Sequence, residues 1–176
     1  MAPLNALVER WRAGPPARTV PWFDPDGGGV DATVLLLMES PGPRTVEAGA
    51  GAITTEDNDD PTARRLHRLR VESGLPRERC VRWNVVPWAL GRTPTVADLE
   101  EARPALADVV ALLTRLRVVV PFGTAALNGW MRHLTLTTGA GVVPTLGVPH
   151  PSPANGHRRS ESEARTVAAL RTARGL

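Results

Sequence analysis

Apolar positions run unbroken through Val34-Leu35-Leu36-Leu37-Met38 and stop at Glu39 and Ser40. A short apolar run, entered from a glycine-rich stretch and left through Pro41-Gly42-Pro43, has the pattern of a strand buried on both faces of a parallel sheet. The prolines exclude an immediate helix, so the chain should leave this strand as a stiff loop. Cys80 to Val86 and Arg117 to Gly123 repeat the pattern, and Val142 to Val148 repeats it more weakly. Helical spacing fills the intervals. Leu4, Leu7, Val8 and Trp11 share a face over Pro3 to Trp11, and Leu66 and Leu69 share one after Asp60-Pro61, a capping residue and a first-turn proline. Leu99, Leu106, Val109, Val110, Leu113 and Leu116 mark a long helix from Thr95 to Leu116 that Pro104 should kink or split. Thr124 can cap a helix from Ala125 to about His133, and a last helix from about Arg158 turns Val167 and Leu170 inward. Strands alternating with helices predict a three-layer α/β/α sandwich around a central, mostly parallel four-stranded sheet, in a single domain over residues 1–176.

That topology gathers the carboxyl ends of the strands along one edge, where open α/β sheets bind ligands. The edge receives Glu39 and Ser40, then Asn84, then Gly123, then the proline-rich loop Pro149-His150-Pro151-Ser152-Pro153. Asn84 interrupts an apolar and aromatic run; a buried amide is either tied to local backbone or available to a ligand with amide-like edges. A carboxylate, an amide and a histidine on stiff loops could bind a planar group and stabilise a leaving anion. The three glycines before Val34 cannot aim a helix amino terminus at an anion, so they make a packing loop. The acidic run Asp57-Asn58-Asp59-Asp60 could hold a divalent cation, but Asp60 before Pro61 fits a helix cap better.

Composition removes several chemistries. Cys80 is the only cysteine, which excludes an internal disulfide, a cysteine zinc site and a four-cysteine iron-sulfur cluster. All 21 basic residues are arginine; the absence of lysine excludes a P-loop, a pyridoxal Schiff base and any lyase working through a lysine amine. No cofactor and no metal are expected. A net charge of +3 permits contact with phosphate backbones, although an arginine bias of composition would give it too. No apolar run approaches the ~20 residues of a membrane span, and the chain shows no leader pattern, so a cytoplasmic monomer is expected.

The order of these motifs resembles the uracil-DNA glycosylase superfamily. Met38-Glu39-Ser40-Pro41-Gly42 stands where members carry a first motif of Gly-x-x-Pro-Gly type. Asn84 matches an asparagine at the end of the next strand, His150-Pro151-Ser152 a late His-Pro-Ser motif, and Val119 to Leu127 the strand-Gly-x-x-Ala segment. The resemblance implies a divergent member without the iron-sulfur cluster, acting on DNA that carries a damaged or modified base. It implies that Glu39 and Ser40 share the position beside the attacking water, that Asn84 reads the flipped base, and that His150 donates to the base oxygen gaining charge. It assigns phosphate contact to Pro41, Gly42, Gly123, Ser152, Pro153, Arg158 and Arg159. No aromatic residue occurs between Phe23 and Trp83, where the family stacks the base, so Trp88 or Ile53 is the substitute. The expected activity is monofunctional hydrolysis of the N-glycosidic bond of uracil or another altered base. A non-catalytic nucleic-acid-binding or DNA-defence protein and a small-molecule nucleoside hydrolase are the competing functions.

Overall fold

The computed structural model describes residues 1–152 and 159–176. The elements in chain order are α1 (Ala2–Ala13), β1 (Trp22–Phe23), β2 (Val34–Met38), α2 (Pro43–Glu47), β3 (Ile53–Thr54), α3 (Pro61–Ser73), β4 (Cys80–Asn84), α4 (Val96–Leu112), β5 (Val118–Pro121), α5 (Gly123–Leu136) and α6 (Arg159–Gly175). β2 lies between β4 and β5 and is parallel to both, with Val34 opposite Cys80 and Val118, and Met38 opposite Asn84.

The continuous apolar run of β2 follows from its having helices on both sides. Leu35 and Leu37 pack in one core with Leu4 and Val8 of α1, Leu99 and Leu106 of α4, and Trp130 of α5. Val34, Leu36 and Met38 pack in a second core with Leu66 and Leu69 of α3 and Val167 and Leu170 of α6. Each such side chain stabilises the fold by about 1.5–3 kcal/mol, and the strand has no polar face to slip toward. The glycine-rich entry is a packing loop: a Cβ on Gly28 would lie 2.4 Å from the Glu78 carbonyl oxygen, and the Gly28 N–H donates to Cys80 O at 2.7 Å.

The parallel sheet has three strands, not four. The segment expected as the fourth meets β5 only through isolated bridges, Val119 to Thr145 and Phe122 to Val148. Val119 N–H donates to Pro144 O, Leu146 N–H to Val119 O, Val148 N–H to Pro121 O and Gly123 N–H to Val148 O, but Pro121, between the two bridges, has no N–H to give the Leu146 carbonyl, so the ladder breaks there. A second, two-stranded parallel sheet joins β1 and β3, Trp22 opposite Ile53. Strands of two residues are too short to carry a periodic signal. Other boundaries also move. β4 ends at Asn84 rather than Val86, and α4 continues past Pro104, an exposed position, without splitting. α2 starts directly on Pro43, which loses no bond at a first helical position, and α5 starts at Gly123 behind Phe122, so Thr124 is inside the helix instead of capping it. Asp60 caps α3, accepting from the Thr62 and Ala63 N–H groups at 2.9 and 2.8 Å.

Candidate functional site

The three parallel strands end together, and their exits are locked to one another. Val85 N–H donates to Met38 O at 2.8 Å, Val86 N–H to Glu39 O at 3.0 Å, and Phe122 N–H to Leu37 O at 2.8 Å. At the β5 exit, Gly123 takes φ +85°, and a Cβ there would lie 2.9 Å from the His150 Cβ. Only glycine lets the His150 loop close onto the start of α5.

The His150 loop is held from both sides. Arg65 on α3 donates from Nη1 to the carbonyl oxygens of Pro151 and Ser152, both at 3.2 Å. The Ser152 N–H donates to His150 Nδ1 at 3.2 Å, which leaves Nε2 as the protonated nitrogen of a neutral ring. Burial, and then the charge of Arg82, holds the imidazole below its ordinary pKa.

A cavity of about 370 Å³ opens at this edge, within the range of small-ligand pockets. Ser40, Pro41, Gly42, Arg44, Arg82, Asn84 and His150 are among its lining residues. Asn84 is only 5% exposed and lines the cavity, and its side-chain amide makes no hydrogen bond to any described residue; Thr54 Oγ1 and Arg82 Nε, on residues that also line it, are buried without a partner among the described residues. The backbone-tied alternative is thus not what the fold adopts. Gly42 has open space where a side chain would stand, so backbone is accessible there. An adjoining cleft of about 780 Å³ is lined by Glu39, Gly123, Thr124, Glu161 and Arg165, and His150 lines both spaces. Burial pushes the Glu39 carboxyl above the ordinary carboxylate range. The pleat thus separates Glu39 from Ser40, one in the cleft and the other in the cavity.

Other predicted residues lie elsewhere. Trp88 is buried in the core shared with α1 and α4, with the Arg18 guanidinium 3.7 Å from its ring, and Ile53 is half-buried on β3, where Thr54 rather than Ile53 reaches the cavity. No aromatic residue is among the described residues lining the cavity. Ser152 orients His150 through its backbone N–H. Arg159 is exposed and pairs with Glu163 at 3.2 Å; Pro153 and Arg158 lie outside the described residues. In the acidic run, Asp60 is the cap, Asp57 pairs with Arg77 at 2.5 Å, and Asp59 pairs with Arg64. Burial drives the Cys80 thiol up to about 12, so it is not a nucleophile at neutral pH. Sequence reasoning missed Arg44 and Arg82 in the cavity, Arg165 in the cleft, and Arg65 behind the loop.

An α/β fold with a parallel sheet whose carboxyl edge gathers an amide, a histidine and a carboxylate around two adjoining spaces is the arrangement of a ligand-binding α/β protein. The sequence model of the Uracil DNA glycosylase superfamily matches residues 25–174, and the chain belongs to that superfamily. No curated protein matches it. Membership brings a glycosylase-type function acting on DNA. Among the described residues, no helix is long and apolar enough to cross a membrane.

Proposed function

We propose that the chain is a monofunctional DNA glycosylase that hydrolyses the N-glycosidic bond of uracil or another altered base. The observation that carries this reading is Asn84: a nearly buried amide without a hydrogen bond to the described residues, lining the same cavity as His150. A flipped base would satisfy the amide and offset part of the few kcal/mol needed to unstack it. His150 donates from Nε2 to the base oxygen that gains charge as the bond breaks. Glu39, in the cleft beside His150, is suited to the sugar side, where a carboxylate favours the oxocarbenium-like carbon and can accept a proton from the attacking water. Ser40 can hold that water by hydrogen bonding. With no lysine in the chain, no lysine amine can attack the sugar, which favours a product strand left uncut at the abasic site.

One substitution supports a second reading, nucleic-acid binding without excision: Ser40 stands where other branches of the family carry an acid or amide to position water. Uracil-containing single- and double-stranded oligonucleotides, incubated with the protein and then treated with alkali, separate the two. Strand breaks after alkali alone support the glycosylase. His150→Ala should slow release by roughly a hundredfold, the scale of losing one oxyanion donor, and Asn84→Ala should cost activity and discrimination together. Tight binding without breaks supports the second reading, and release of base from free nucleosides but not DNA supports a nucleoside hydrolase.

A further inference from the structure

A cation lines the same cavity. Arg82 is the middle residue of β4, opposite Leu36, and the alternation that turns Cys80 and Asn84 toward one face turns Arg82 there as well. Its Nη1 donates to Thr55 O at 2.6 Å, while its Nε is buried with no hydrogen-bond partner among the described residues. The carboxylates that favour its charge are Asp60, Glu56 and Asp24, and each is committed elsewhere. Glu56 takes Arg70 Nε at 2.8 Å, Asp24 takes Arg77 Nη2 at 2.9 Å, and Asp60 caps α3. Arg82 is left in no ion pair among the described residues, with Leu36, Leu66 and the Glu56–Arg70 and Asp24–Arg77 pairs on one side and the cavity on the other. A half-buried cation without a counter-ion works against the fold, because burial disfavours its charge. An unpaired charge kept beside a ligand cavity points to a ligand that supplies the missing negative charge.

Building on the glycosylase reading, we propose that Arg82 is a catalytic residue that takes up the negative charge of the departing base, beside His150. When the bond between C1′ and the base nitrogen breaks, its electron pair goes to the base and spreads onto the ring oxygens. Water adds to C1′ and gives its proton to Glu39 or solvent, and the base anion later takes a proton from solvent. Atoms and charge balance without a further reactant. Arg82 donates only, through a fixed fork, so the base edge it meets must present acceptors. The cavity therefore favours bases bearing carbonyl oxygens over bases bearing an exocyclic amine at that edge.

The test compares leaving groups. Arg82→Met should slow release of uracil from DNA by about a hundredfold or more, the scale of losing an oxyanion donor. Release of 5-fluorouracil, a more acidic ring that needs less help to leave, should slow much less, so the ratio of the two rates should widen by about tenfold. Equal slowing of both substrates overturns the assignment and makes Arg82 a prop for Thr55. A second measurement does not depend on the variant's folding: free barbiturate, an anion at neutral pH with the ring shape of uracil, should bind wild type more tightly than uracil does. Equal affinity also overturns the proposal. A wild type that prefers barbiturate yet releases no base overturns the glycosylase reading and the catalytic step, but not the anion contact.

Discussion

Glu39 is a carboxyl whose burial works against the fold and whose proposed role in the reaction can be tested through the same shift. Burial raises its pKa, so the folded chain holds the carboxyl proton more tightly than the unfolded chain does. Stability is then lost as pH rises from the ordinary glutamate value, about 4.3, through the raised folded value. Glu39→Gln should melt higher than wild type at neutral pH, and the gain should vanish in acid. If the ionised carboxylate serves the reaction, base release by wild type should fall as pH drops through that raised value, and the limb should be missing in Glu39→Gln. Measuring melting temperature and single-turnover rate across acid pH checks both, and an unchanged acid limb in the variant would remove Glu39 from the chemistry. At this scale the sequence was legible where a residue broke its surroundings: Asn84, set among Trp83 and Val85, announced itself. Arg82 breaks the same strand two residues earlier, but among 21 arginines a charged residue was read as composition. Trp88 misled because aromatic character does not report direction, and the fold uses it as core under Arg18.

The elements divide into those that make the sheet and those that hold the loops. α3 does both: Leu66 and Leu69 face the sheet, while Arg65 grips the His150 loop by two carbonyls. α4 is capped by a reciprocal pair, Thr95 accepting from Asp98 N–H and Asp98 accepting from Thr95 N–H at 2.7 Å, with Arg92 holding the Asp98 carboxyl well below the ordinary range. The two helices predict different outcomes. Arg65→Met should lower turnover by about tenfold or more through a displaced His150, since a 1 Å misplacement can cost a hundredfold, and should also lower the melting temperature, because two carbonyls and Glu163 lose a partner. Thr95→Ala should leave turnover alone but lose about 1 kcal/mol, lowering the melting temperature by a few degrees. Thermal melts and single-turnover assays on both variants check this, and unchanged turnover in Arg65→Met would mean the loop is fixed by something other than α3. Periodicity located both helices, because apolar spacing is a property of the segment alone. It did not locate the three-stranded limit of the sheet, because Pro121, which has no N–H for the Leu146 carbonyl, acts on pairing with a neighbour rather than on the apolar pattern of Val142 to Val148. The cap at Asp60 was legible for the opposite reason, since Asp60-Pro61 states its geometry within two residues.

Across the whole molecule, charge is distributed so that part of it is free to meet a polyanion. Many arginines are consumed internally: Arg70 on Glu56, Arg77 on Asp24 and Asp57, Arg132 on Glu100. Others are not: Arg44 at the cavity and Arg165 in the cleft are exposed and make no ion pair among the described residues, as is true of Arg117, Arg171 and Arg174 elsewhere, whereas Arg159 is shared with Glu163. A net charge of +3 does not by itself say where a polyanion would lie; Arg44 and Arg165, beside the two spaces, are the cations that the glycosylase reading requires to meet it. If they meet phosphates, duplex affinity should fall with salt by about 0.9 log unit per log unit of salt for each phosphate neutralised. Replacing Arg44 and Arg165 together by alanine should then flatten that slope by nearly two contacts, while Arg10→Ala, which lines neither space and is paired with Asp108, should leave it unchanged. Fluorescence anisotropy over a salt series measures the slopes directly. A slope that is flat in wild type would argue against a DNA substrate and move the site toward small nucleosides; a steep slope insensitive to Arg44 and Arg165 would place the strand across another face of the molecule.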